Sequence, residues 1–386
     1  MKNKSRRSFV KSLGLGIGSA ALLPSYTTFE NPSFAKKSNY KGKKLNIALC
    51  GLGRYANILA RSFADSAYCT LSGIITGTPS KAIDWQKRYS IPDGNSYNYE
   101  NFDSIKNNPE IDLVYVVLPN GMHKEYTIRA AKAGKHVIVE KPMAFTEKDC
   151  QEMIAACKNA GVQLAVGYRL HYEPNHLELM RLGQEKILGQ VRLIEVSLGY
   201  DISGIDPNDW HLKKDLSGGG PLMNLGVYCV QASRYTLGEE PISVTAQFGP
   251  VTRPDIYKEV EESITWQLNF PSGAVATSTS SNSCGVDRFF ASAERGFFEL
   301  SPAVSYGPFR GRSSDGEFDF PVINQQAAQM DGIAKEILEK RKLPDHISGE
   351  EGRKDMKVLE AIYKAAERKY PTDHRAFNNA GGVLYM

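Results

Sequence analysis

No stretch of this chain comes near the eighteen or so consecutive apolar residues of a membrane span; the best, from Leu13 to Leu23, is too short and rich in glycine. The six cysteines (Cys50, Cys69, Cys150, Cys157, Cys229 and Cys284) include no Cys-x-x-Cys pair and no histidine at zinc spacing, so no metal site is expected. Cys150 and Cys157 fall seven apart on one expected helix, about 10 Å of rise and too far to bridge. All six are read as buried thiols. A strong charge of either sign is also missing. The net charge of +4 comes from the first 35 residues, which hold five basic residues and one acid, and the remainder carries 42 of each sign. That balance argues against nucleic acid or an anionic membrane as partner. At 386 residues, 41% of them hydrophobic, the chain is long enough for two cored domains, which excludes a peptide module.

The basic residues at the start are ordered. Ser5-Arg6-Arg7-Ser8-Phe9-Val10-Lys11, ahead of the weakly apolar run, resembles a twin-arginine export signal. Residues 1–35 are therefore expected to be a signal peptide, cleaved after Ala35. The expected product is periplasmic, exported already folded, with no membrane attachment. Residues 36–44 follow as a linker or arm.

From Leu45 to Val166, short apolar runs alternate with amphipathic helices, the pattern of a parallel sheet with helical crossovers. Strands are expected at Leu45–Cys50, Thr70–Ile75, Leu113–Leu118, His136–Val139 and Gln163–Val166. Thr78-Pro79 reads as a capped helix start, and Thr146-x-x-Asp149 as a capping box opening a helix to Asn159. After Gly167 the runs lengthen and alternate apolar with polar: Val191–Tyr200, Ile242–Phe248, Ser263–Phe270, Ala274–Ser281 and Phe289–Leu300, with turns at Pro271-Ser272-Gly273 and Glu294-Arg295-Gly296. Helices over 324–340 and 350–369 finish the chain. The fold class is therefore α/β: a doubly wound parallel sheet over 45–166, then an α+β domain over 167–386 with a large, open, mainly antiparallel sheet.

Gly51-x-Gly53-x-x-Ala56 sits between a strand and a helix start, the context of a Rossmann dinucleotide site. Gly51 allows the tight turn, Gly53 lets the backbone approach a pyrophosphate, and Arg54 and Tyr55 begin the helix whose N-terminus faces the phosphates. An NAD site places Asp or Glu at the end of the second strand to hold the ribose hydroxyls. Here that end reads Thr76-Gly77-Thr78-Pro79-Ser80-Lys81. Thr76, Thr78 and Lys81 suit a 2′-phosphate instead, so NADP is favoured over NAD. Glu140-Lys141-Pro142 follows an apolar strand, where ligands collect in such sheets. Lys141 there can donate to a substrate hydroxyl. Between Leu222 and Tyr228 the chain reads as a helix, placing Asn224 and Tyr228 four apart on one face. The preceding Gly218-Gly219-Gly220 allows close backbone approach, and these segments together could line a polyol pocket.

In combination these motifs resemble the Gfo/Idh/MocA oxidoreductases, most closely their glucose–fructose oxidoreductase branch. The resemblance runs from about Leu45 to Tyr370. It rests on Gly51-Leu52-Gly53, Leu118-Pro119-Asn120-x-x-His123, Ala133-Gly134-Lys135-His136, Glu140-Lys141-Pro142-Met143, Gly167-Tyr168-Arg169, Gly218 through Tyr228, Arg234-Tyr235-x-Leu237-Gly238-Glu239-Glu240-Pro241 and Gly349-Glu350-Glu351-Gly352. It implies a sugar oxidoreductase holding NADP tightly, with Lys141 orienting the reacting hydroxyl and Tyr228 as acid/base, its pKa lowered by the Lys141 charge. It also implies Tyr168, Arg169 and Trp210 at the sugar pocket, and Leu118, Pro119, Asn120, His123 and Glu140 on the cofactor side. Two positions depart from the family: Asn224 stands where Asp is usual, and His211 follows Trp210 where the branch tends to carry Arg. Two other activities fit the same residues: a glycosidase acting by transient oxidation and elimination, and a catalytically silent cofactor- or sugar-binding protein. A homodimer or homotetramer is expected, formed by covering the open sheet.

Overall fold

Residues 40–202 and 204–367 are described by the computed structural model, so the expected signal peptide and the first four residues of the arm lie outside the described residues. The first sheet contains β1 (Leu45–Cys50), β2 (Cys69–Ile75), β3 (Ser96–Tyr97), β4 (Leu113–Val116), β5 (His136–Val139) and β6 (Leu164–Val166), ordered β3-β2-β1-β4-β5-β6. All its pairs are parallel. Both faces of β1 and β4 are covered, which is why these strands read as nearly unbroken apolar runs. Strand order reverses between β1 and β4, so a crevice opens at their carboxyl ends.

The crossover helices are α1 (Arg54–Ser62), α2 (Pro79–Tyr89), α3 (His123–Lys132) and α4 (Glu147–Asn159). At α4 the Thr146 Oγ1 accepts the Asp149 N–H at 3.1 Å, as a cap should. At α2 proline occupies the first turn, but the Thr78 side chain makes no cap hydrogen bond.

The second half begins with α5 (Pro174–Gln184) and continues through β7 (Val191–Gly199), the short α6 (Lys214–Ser217) and α7 (Val227–Leu237). Then come β8 (Ser243–Phe248), β9 (Ser263–Asn269), β10 (Val275–Ser281), β11 (Val286–Ala293), β12 (Gly296–Leu300), β13 (Gly311–Ser313) and β14 (Gly316–Glu317). Together they form an eight-stranded sheet, β14-β13-β12-β11-β7-β10-β9-β8, antiparallel except for the β7–β10 pair. Residues 289–300 thus fold as two strands about the Glu294-Arg295 turn. Burial alternates along β9 and β10, leaving Thr265, Gln267, Thr277 and Thr279 on the wetter face. Cys284 departs from the expectation of six buried thiols: it lies exposed in the loop between β10 and β11, outside either packed layer.

Two helices, α8 (Gln325–Leu338) and α9 (Gly349–Glu367), complete the described chain. Although α8 was expected with the second domain, Met330, Ile333 and Ala334 pack into the core formed by Leu45, Ile47, Leu59 and Ile74. Asp331 locks it there, accepting from Ser66 Oγ at 2.5 Å and from the N–H groups of Ala67 and Tyr68 at 2.9 and 3.0 Å. Each hydrogen bond to a carboxylate contributes about 1.5–3 kcal/mol. The first sheet is thus finished by residues from the far end of the chain.

Candidate active site

The β1–α1 turn has the shape of an anion cradle. Gly51 has φ +95°, and a Cβ there would lie 2.4 Å from the Val117 carbonyl oxygen, so only glycine fits. Gly53 is different: its backbone is extended, and a Cβ would meet no protein atom within 4 Å. Gly53 is exposed, so its backbone is open to an approaching ligand. α1 has no side-chain cap and no acid in its first turn, so its leading N–H groups remain available to phosphate. At the end of β2, Thr76 is buried and its Oγ1 accepts the Thr78 N–H at 3.2 Å, leaving its hydroxyl proton to donate. Thr78 and Lys81 are exposed. These residues fit a nicotinamide dinucleotide, which when bound supplies a hydride acceptor or donor.

Lys141, Tyr228, Arg169 and Glu140 meet at the carboxyl ends of β5 and β6. The Lys141 Nζ lies 4.6 Å from the centre of the Tyr228 ring, and the Arg169 guanidinium 5.3 Å from it. Lys141 is aimed by the main chain: its Nζ donates to the Asn224 carbonyl at 2.8 Å. Residues Leu222–Gly226 form a π-helical turn, in which the Val227 N–H reaches back to the Leu222 carbonyl. Asn224 lies inside this π turn and Tyr228 in the first turn of α7, which continues it. What residue 224 offers Lys141 is a backbone oxygen, which either Asn or Asp supplies.

The π turn is itself held by Glu261, which accepts from the N–H groups of Gly220 and Leu222 at 2.9 and 3.1 Å and from the Tyr363 hydroxyl at 2.9 Å. A Cβ on Gly219 would strike the Tyr363 hydroxyl, and one on Gly220 the Glu261 backbone. Internal packing by α9 and by Glu261, just ahead of β9, accounts for these two glycines.

Electrostatics separate the roles. Burial pushes Glu140 up to about 7, opposed by the hydrogen bond from Tyr115 and by the Lys141 charge. Burial likewise brings Lys141 down to about 8; Glu140 works against that and Arg169 with it. Tyr228 is raised by burial despite Arg169. This reverses the expected direction: desolvation of the phenolate outweighs the neighbouring cations, so Tyr228 rests protonated, as a donor. Glu140 is held by a relay from α8, with Gln329 Nε2 donating to Tyr115 Oη at 2.6 Å and Tyr115 donating to Glu140 at 2.5 Å.

Other residues singled out from the sequence scatter. His123 bridges two loops, one ring nitrogen 2.8 Å from the Leu118 carbonyl and the other 2.9 Å from the Pro142 carbonyl, and burial lowers it to about 4. Leu118 packs over Gly51, and Pro119 leads into the turn where the Asn120 amide donates to the Ser217 carbonyl at 2.8 Å. Tyr168 turns away from the crevice, its hydroxyl donating to buried Asp355 at 2.5 Å. Trp210 stacks on His211 at 3.7 Å between ring centres, and the His211 imidazole, 2.6 Å from Asp209, feels the charges of Lys141 and Arg54. Tyr55 feels Glu140, Arg169 and Tyr228, which places it at the same crevice. Tyr200 and Tyr306 also stand here, on the exposed side of Arg169; no motif marks either in the sequence.

A dinucleotide cradle beside a Lys–Tyr pair defines an NAD(P)-dependent oxidoreductase. The chain belongs to the Gfo/Idh/MocA oxidoreductase family: residues 45–168 match its NAD-binding Rossmann-fold model and residues 176–299 its C-terminal domain model. The crystal structure of aldose-aldose oxidoreductase from Caulobacter crescentus, complexed with glycerol, is similar at 42% identity and a TM-score of 0.81, over 84% of this chain and 98% of that one. D-xylose 1-dehydrogenase [NADP(+)] of Haloarcula marismortui is 26% identical over 84% of this chain and 91% of its own length. Levoglucosan dehydrogenase, in complex with NADH and levoglucosan, shares the fold at 20% identity and a TM-score of 0.68.

Proposed function

We propose that this chain is an exported, periplasmic sugar oxidoreductase that transfers hydride between a pyranose or polyol carbon and a tightly held NADP. The observation that carries the reading is the placement of Lys141 Nζ over the Tyr228 ring at 4.6 Å, at the strand ends beside the Gly53 cradle. Lys141 would then hold a sugar oxygen beside the Tyr228 ring, and the Tyr228 hydroxyl, hydrogen-bonded to Arg169, would pass or receive its proton. NADP is supported by the absence of an acid from Thr76 to Lys81 and by the name of the Haloarcula relative. The open face of the eight-stranded sheet suits a homodimer or homotetramer formed by sheet-to-sheet packing.

The test is the absorbance of protein purified without added cofactor, before and after a panel of aldoses and glycosides. A rise at about 340 nm, the reduced-nicotinamide band, is expected with at least one aldose, together with NADP in the acid-released cofactor. Bound cofactor that no sugar reduces, with free sugar released from a glycoside, would replace this reading by the eliminating glycosidase; no response of either kind would leave a silent binder.

The pKa shifts add a pH signature. Reduction of a sugar carbonyl needs both donors protonated, and Tyr228, raised, keeps its proton to high pH. Lys141 loses its proton first, so reduction is expected to slow as pH rises through about 8. Because Glu140 supports the Lys141 charge, Glu140→Gln should move that fall to lower pH. Stopped-flow rates across pH 6–10 read both effects, and a flat profile or an upward shift in the variant would remove the Lys141 charge from the mechanism.

A further inference from the structure

Tyr306 is 56% exposed, yet the segment that presents it is tied down on every side. Asp287, on β11, accepts the N–H groups of Ala303, Val304 and Ser305 at 2.8, 2.7 and 3.0 Å. The Ala303 carbonyl meets the His176 imidazole at 2.6 Å, and buried Arg169 donates to the carbonyls of Val304 and Ser305. At the base of the loop the Ser301 N–H donates to the Arg310 carbonyl at 3.0 Å. Tyr306 follows directly, with the Arg169 guanidinium 4.7 Å from its ring centre. Tyr200, 41% exposed at the end of β7, is close enough that Tyr306 and Tyr228 both influence its ionisation.

An exposed tyrosine adds little to folding stability, so a scaffold of this kind needs another reason. Fixing the loop in advance removes much of the ordering cost that a ligand would otherwise meet. A tyrosine ring offers flat apolar area with few rotatable bonds, and the C–H face of a pyranose is its natural partner.

We propose that Tyr306, with Tyr200 beside it, forms a second sugar subsite, so that the preferred substrate is a disaccharide or longer saccharide whose reacting ring sits at Lys141 and Tyr228 while its neighbour stacks on Tyr306. The inference rests on the sugar-oxidoreductase reading and extends it to substrate length. It is tested with reducing pairs that share a ring, glucose with maltose and cellobiose, and xylose with xylobiose, taking the ratio of kcat/KM for disaccharide over monosaccharide. Tyr306→Ala is expected to lower that ratio at least about fivefold, Tyr306→Phe to keep it, and Tyr200→Ala to lower it in the same direction. A ratio below one in the wild-type protein, or one that neither alanine variant changes, overturns the subsite. Failure of every sugar to reduce the wild-type cofactor would overturn the activity itself, and mass spectrometry of the products separates an oxidised disaccharide from a cleaved one.

Discussion

Lys141→Met is expected to slow hydride transfer to the bound cofactor by about 10²–10⁴-fold while leaving the cofactor in place. Methionine keeps most of the buried stem volume, so what is lost is the ammonium group that donates to the Asn224 carbonyl at 2.8 Å and faces the Tyr228 ring. Without it the sugar oxygen has one donor, and the charge that develops on it goes unopposed in a site sheltered from water. Tyr228→Phe should fall in the same range for the complementary reason: the ring stays and the proton donor goes. Single-turnover absorbance change after mixing with substrate measures both. A Lys141→Met rate within about threefold of wild type would reduce Lys141 to a packing residue.

The largest stability effect is expected at Arg234→Met, about 3–5 kcal/mol. Arg234 is buried on α7 and pairs with Asp355 and Glu351 on α9 and with Glu240, the last two at 2.8 and 2.7 Å. Asp355 also accepts from Tyr168 and from Gln231 Nε2. One guanidinium thus neutralises acids that would otherwise face each other out of water. Burial already raises Asp355 to about 6, with Arg234 the main opposing influence. Losing Arg234 lifts that pKa further above its unfolded value. A raised carboxylate is stable while protonated and loses that stability as pH climbs through its folded pKa. The loss relative to wild type should therefore grow from pH 5 to pH 8 in urea midpoints, and a pH-independent difference would mean that the acids are neutralised some other way.

The dinucleotide cradle is legible in the sequence because its determinants are local: an apolar run, two glycines two apart and a helix start occupy about a dozen residues. The same holds for the alternation that marks β7 to β12. The centre of the site is less legible. Leu222–Tyr228 reads as one continuous helix, whereas residues 222–226 form a π turn whose start is tied to Glu261 and Tyr363, far along the chain. Tyr168 adjoins Arg169 in sequence, yet its direction is set by Asp355, 187 positions away. The resting state of Tyr228 depends on burial, which no single segment encodes. Tyr306 belongs to a loop whose anchors, Asp287, His176 and Arg169, come from three separate elements, so no spacing announces it.

The return of α8 to the first sheet also bears on how the chain is made. The strands of that sheet are complete at Val166, but the cover over Ile47, Leu59 and Ile74 begins only at Gln325. At about 5–20 residues per second a ribosome needs about 10–30 s to cross that gap. During this interval the nascent half displays an apolar surface with its permanent occupant still unmade. The first domain cannot be finished ahead of the second, and shielding by a chaperone would matter most in those seconds, before Asp331 closes onto Ser66.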